Sequence, residues 1–244
     1  MSIHSAKVIG WTLLVGLIAG CGAPFDPVQE TARELSNYPE YSVIIDDLQV
    51  EEGGFSNDYF IRLRILTAKG ARVAGRDTLV FDERITENHE VSEKIYARYQ
   101  NYLGMVVASR DGEGRETTHQ QAHPPAYQYV GNPHYGHWGP GGFWAFYGQY
   151  MFMSQMLGGW RVGRDDYGDY RRDRERGRPY YGPRKDGRST FGTSGSQTQK
   201  TKPNFYQRQK SRTQASQRAF SANAQNRSGR TSSSWGRGSS RGGK

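Results

Sequence analysis

One cysteine, Cys21, occurs in 244 residues, so no disulfide can close within the chain. Once that thiol is committed, none is left to ligate a metal. Acidic residues are missing altogether after Asp186, and aliphatic residues are scarce after Trp160. Recognisable catalytic motifs are also missing: there is no G-x-S-x-G, P-loop, H-E-x-x-H or cysteine nucleophile in a reactive setting. Asp46-Asp47 and Glu51-Glu52 are adjacent pairs on or beside an expected strand, where neighbours point to opposite faces. They read as solvated surface charge rather than as an acid/base dyad. Neither an enzymatic activity nor a cofactor is expected.

Long apolar runs are scarce, and the strongest lies at the N-terminus. Val8 to Gly20 reads "VIGWTLLVGLIAG", uncharged and preceded by Lys7, the pattern of a secretory signal over residues 1–20. It falls short of the roughly 20 helical residues that span a bilayer. The small residues Ala19 and Gly20 run directly into Cys21. Ile18-Ala19-Gly20-Cys21 resembles the lipobox of bacterial lipoproteins, and the resemblance covers about twenty residues. It implies that the Cys21 sulfur carries a diacylglyceryl group and becomes the acylated mature N-terminus. Acyl chains stabilise attachment by on the order of 0.8 kcal/mol per buried methylene, so Cys21 is expected to be a membrane anchor. Gly22 after the cysteine, rather than Asp, implies outer-membrane sorting in lipoproteins of cells with two membranes. Export and lipid anchoring to the bacterial cell membrane are the expected location.

Charge is divided along the chain. Residues 21–160 carry 11 Lys/Arg against 18 Asp/Glu, a net of −7, whereas residues 161–244 carry 21 against 6, a net of +15. An acidic front half is joined to a basic back half.

Residues 21–116 have the periodicity of a folded α+β domain. Asp26-Pro27 predicts a helix start, with Val28, Ala32 and Leu35 on one face. "YSVII" and "LQV" read as a strand broken at Asp46-Asp47. "DYFIRLRIL" alternates, with Tyr59, Ile61, Leu63 and Ile65 on one face and Arg62 and Arg64 on the other. "EEGGFSND" between them suits a hairpin turn. "DTLVFDERI" gives a third strand, Val91 to Leu103 a short helix ended by Gly104, and "MVVAS" a fourth strand. The expected architecture is a small antiparallel sheet with two short helices, followed by an aromatic-rich helix and a long disordered basic tail.

Residues 117–142 are rich in His, Pro, Gly and aromatics and read as loop. His119, His123, His134 and His137 fall within it, and H-x3-H with H-x2-H could gather imidazoles on one transition metal. No carboxylate pair completes such a site, and an ordinary loop is the simpler reading. Residues 143–159, bracketed by glycine pairs, are expected to form an apolar helix. Packing on the domain, lying in a membrane interface and self-association are all open to it.

From residue 160 the composition predicts disorder, because too little apolar surface is available to offset the ordering entropy. Its Arg/Gly/Ser pattern is similar to segments that bind single-stranded nucleic acid, but an exported protein does not meet cytosolic RNA. Lipid head groups, envelope polymers and extracellular DNA are the polyanions such a tail would meet. Contact with the chain's own acidic domain is the other reading. The expected function is a non-enzymatic, lipid-anchored scaffold or binding module whose basic tail engages anionic envelope polymers. A metal-binding accessory lipoprotein using the histidine loop is the alternative.

Overall fold

A computed structural model describes residues 24–54, 56–73 and 76–231. The signal segment, Cys21 and residues 232–244 lie outside the described residues. The fold is α+β, built on an antiparallel sheet as the sequence predicts.

Helix α1 (Pro27–Glu34) begins where Asp26 Oδ1 accepts from the Val28 and Gln29 amides at 3.1 and 3.3 Å. The same carboxylate accepts from Arg98 Nη1 at 2.6 Å and from the Tyr99 hydroxyl. One N-cap thereby ties α1 to α2 (Glu93–Tyr99), whose own cap is Ser92. Between them run β1 (Glu40–Glu52), β2 (Asn57–Val73), β3 (Arg76–Ile85) and β4 (His89–Val91). Strands β5 (Val106–Arg110) and β6 (Glu116–Thr117) follow. The strand order is β3-β2-β1-β5-β6, with β4 pairing β2.

The break expected at Asp46-Asp47 is a β-bulge. Ile45 pairs with Leu63 and Asp47 with Arg62, leaving Asp46 as the extra residue. This corrects the reading of Asp46 as solvated charge. Its carboxylate, with the side chain 9% exposed, takes Arg62 Nε and Arg64 Nη2 at 2.8 Å each.

Both faces of the sheet are covered. Val43, Ile45, Ile61, Leu63 and Ile65 project to the side where Tyr96 of α2 meets Tyr59, with ring centroids 5.1 Å apart. Leu66, Ala68 and Phe81 project to the other. There Phe81 meets Tyr129, Tyr135, Tyr150 and Phe152 at centroid distances of 5.6–6.3 Å. This second layer is made by residues that the sequence suggested were loop, and by a segment read as a helix for which packing on the domain was one of three readings.

Residues 143–159 do not form one helix. They contain β8 (Trp144–Phe146), paired with β7 (Gly136–Trp138), then a 3-10 turn and the short α3 (Phe152–Met156). Trp144 and Phe146 are buried and Ala145 is exposed, a period of two that a window of mixed aromatics concealed. Gly136 permits the hairpin, since a Cβ there would lie 2.2 Å from the Ala145 carbonyl oxygen.

The expectation of disorder is also corrected over residues 160–231. The Trp144 amide donates to Val162 O at 2.9 Å, and α4 (Arg164–Glu175) follows. Val162, Tyr170, Tyr180 and Phe191 enter the core. Aromatic rings supply there the apolar surface that aliphatic residues do not, and each hydroxyl brings a polar handle. Asp166 gathers three of the handles, accepting from Tyr127 at 2.7 Å, from Trp160 Nε1 at 3.0 Å and from Tyr180. A two-residue hairpin, β9 (Arg184–Lys185) with β10 (Arg188–Ser189), leads to α5 (Ser196–Thr201) and α6 (Pro203–Thr231).

Candidate binding cleft and basic helix

A cleft of about 600 Å³ opens where three segments converge: the turn from Asp111 to Glu116, the loop from Gln128 to Tyr135, and α4. The β5–β6 turn positions Asp111, whose Oδ1 accepts from the Glu113 and Arg115 amides at 3.1 and 3.0 Å. Its Oδ2 takes Arg115 Nε at 2.8 Å and Arg174 Nη2 at 3.4 Å. Burial would raise the Asp111 carboxyl, but the bonds from Arg115 outweigh it and hold the group below the ordinary carboxylate range. Gly131 (φ +83°) lets α4 approach, because a Cβ there would meet the Tyr167 hydroxyl at 2.7 Å.

Under this rim the floor is polar and incompletely paired. Among the described residues, both ends of the Gln128 amide, the hydroxyls of Tyr129 and Tyr170, and Glu40 Oε2 are buried without a hydrogen bond of good geometry, although Ser42 and Gln128 lie beside the Tyr129 hydroxyl and Arg174 beside that of Tyr170. Glu40 Oε1 accepts from Tyr135. Burial, aided by the nearby Asp111 charge, lifts the Glu40 carboxyl above its usual range, and the Tyr135 bond only partly offsets this. Burial likewise pushes Tyr170 up to about 12.

The four loop histidines occupy separate surroundings. His119 packs edge-on to Tyr99, His134 Nε2 lies 3.1 Å from the Tyr150 hydroxyl, and His137 stacks on Tyr147. His123 is fully buried, with Nδ1 2.9 Å from Pro124 O and burial lowering its pKa to about 4. No group of three or more His, Cys, Asp or Glu able to hold a metal ion occurs among the described residues. The structure therefore does not assemble the arrangement that the metal alternative requires.

The basic segment divides into a docked base and an exposed length. Lys202 Nζ reaches Asp47 Oδ1 at 3.4 Å and the Asp46 carbonyl. Arg212 reaches Glu52 Oε1 at 3.0 Å and Val50 O at 3.2 Å. From residue 213 to 225 every residue is exposed.

Gln128, Tyr129, Tyr170 and Arg174 were not legible as site residues. The only sequence signal was the density of Tyr and Gln in "QQAHPPAYQYV". No protein-family model matches the chain, and no curated protein or solved structure does so either. No helix among the described residues is long and apolar enough to cross a membrane.

Proposed function

We propose that the chain is a non-enzymatic, lipid-anchored cell-envelope protein, held at the membrane through acylated Cys21. In this reading the α+β body is a binding module, and the C-terminal helix engages anionic envelope polymers. The observation that carries the polymer contact is α6: Arg208, Lys210 and Arg218 project from it with no ion pair to a described carboxylate, and no acidic residue follows Asp186. A helix polar on every side gains little from packing. Phosphates or carboxylates that neutralise its cations would supply that stabilisation, with released counterions making the affinity fall as salt rises. Intramolecular docking is a second reading favoured by a specific observation, the Lys202–Asp47 and Arg212–Glu52 pairs. The two are compatible, since docking uses the base of the helix and polymer contact the length beyond it.

The test is co-sedimentation of unlipidated protein with purified envelope fractions across a salt series, comparing residues 22–244 with 22–212. Truncation at residue 160 is unsuitable because it removes Val162, Tyr170, Tyr180 and Phe191 from the core. The proposal expects binding by the longer chain that weakens steeply with salt and is lost from the shorter. Equal sedimentation of both would remove the helix from the account.

A further inference from the structure

A polar group buried without a partner is costly, about 1–3 kcal/mol each, and native cores keep few of them. Five such atoms cluster beneath one cleft: both Gln128 amide atoms, the Tyr129 and Tyr170 hydroxyls and Glu40 Oε2. Gln128 is 8% exposed, Tyr129 1%, Tyr170 2% and Glu40 2%. Each is deep enough for the desolvation cost to apply, and Gln128, Tyr129 and Tyr170 line the cleft, with Glu40 behind them.

The chemistry of these groups narrows what would satisfy them. An amide with both ends open offers donors and an acceptor, and each tyrosine hydroxyl can do either. The complementary ligand therefore carries groups that donate and accept at once, as hydroxyls do. Charge offers no anchor for an ion, because the charged groups around the mouth are already paired. Arg115 holds Asp111 and Glu113 at 2.8 and 2.7 Å, Arg171 faces Glu175 at 3.7 Å, and Arg110 holds Glu116 at 2.6 Å. Tyr167 lines the wall, and an aromatic ring is the kind of side chain that takes the C–H side of a ring ligand. A volume of about 600 Å³ lies within the usual range of small-molecule sites and admits more than one sugar ring.

We infer that this cleft is a binding site for a neutral saccharide, held by Gln128, Tyr129 and Tyr170 on the floor and by Tyr167 on the wall. Arg174 is the movable part. Its guanidinium holds Asp111 at 3.4 Å and Thr117 at 3.5 Å, both near the limit of hydrogen bonding, so a small displacement opens the floor. The site is independent of α6 and of the lipid anchor.

The experiment is isothermal calorimetry on the unlipidated chain, residues 22–244, with chitotriose, cellotriose and maltotriose as neutral probes and trigalacturonate as a charged control. The inference expects at least one neutral trisaccharide to bind, with the charged control weaker. Gln128→Leu should lose at least about tenfold in affinity, the loss of one good hydrogen-bonding group. Tyr129→Phe should weaken binding by a smaller factor. Thermal denaturation of both variants serves as the folding check, and Lys94→Gln, exposed on α2 and outside the cleft lining, should bind like the parent chain. Failure of all three neutral probes to bind would overturn the inference. So would binding to the folded parent that Gln128→Leu leaves unchanged, or preference for the charged control.

Discussion

On the helix side of the sheet, Val43, Ile45, Ile61, Leu63 and Ile65 share a cluster with Val28, Leu35 and Ile95, and the main buried polar group, Asp26, has every role filled. On the opposite side, tyrosines form the layer, and Gln128, Tyr129, Tyr170 and His123 Nε2 remain buried without partners. The same strands thus support two packings with different purposes. Aliphatic side chains give the first its stability, although His89 Nε2, on β4 opposite Ile61, is buried there without a partner. The second accepts unpaired polar atoms, which is what a surface kept ready for a ligand requires.

The comparison can be broken most strongly by mutation on the helix side. Leu63→Ala should cost about 2–5 kcal/mol, read as a lowered urea midpoint, because a fully buried residue leaves a cavity that strands cannot collapse around. A loss under about 0.5 kcal/mol would mean that this face does not carry the fold.

Next in size is a pH effect from the aromatic side. His123 binds its proton only near pH 4 in the fold, against 6.5 as its ordinary value. A depressed pKa means that the unfolded chain takes up the proton first, so stability is full above about 6.5 and falls as pH drops toward 4. The decline should be on the order of 3 kcal/mol, measured by urea denaturation at several pH values and flattened in His123→Gln. Asp46 and Asp111 also lie below their ordinary range, despite burial, because Arg64, Arg62 and Arg115 hold their charged forms. Their contribution persists above the ordinary carboxylate pKa and is lost at lower pH, so a second, more acidic decline should follow.

Asp46→Asn sharpens the same point at one site. Loss of the charge-assisted bonds to Arg62 and Arg64 should cost about 1.5–3 kcal/mol at neutral pH and abolish part of the acidic decline. Removing residues 213–244 should be the smallest perturbation, under about 0.5 kcal/mol by urea denaturation, since residues 213–225 are exposed throughout.

How far the sequence could be read follows the same division. Alternation in "DYFIRLRIL", the Asp26-Pro27 cap and the glycine at 104 depend on local periodicity and backbone preference, and they placed α1, α2 and the strands β1, β2, β3 and β5, whereas the short β4 and β6 were not read and Val91 belongs to β4 rather than to the helix. The bulge at Asp46 was visible only as a break, because the arginines that pair with its carboxylate lie on the neighbouring strand. The aromatic layer was not legible: Tyr129, Tyr150 and Tyr170 lie far apart in sequence, and low aliphatic content after Trp160 concealed how much ring surface would be buried. The cleft was hidden for a related reason. Unpaired polar atoms are a property of the packed state, and Gln128 has no local pattern that marks it.

The most direct measurement of the contrast between the faces is the urea midpoint of Gln128→Leu without ligand. If the amide is unpaired because the cleft is kept for a ligand, replacing it with an apolar side chain of similar size should leave stability unchanged or raise it. A loss of more than about 1 kcal/mol would mean that Gln128 is satisfied within the fold, and the account of the aromatic face as a binding surface would be wrong.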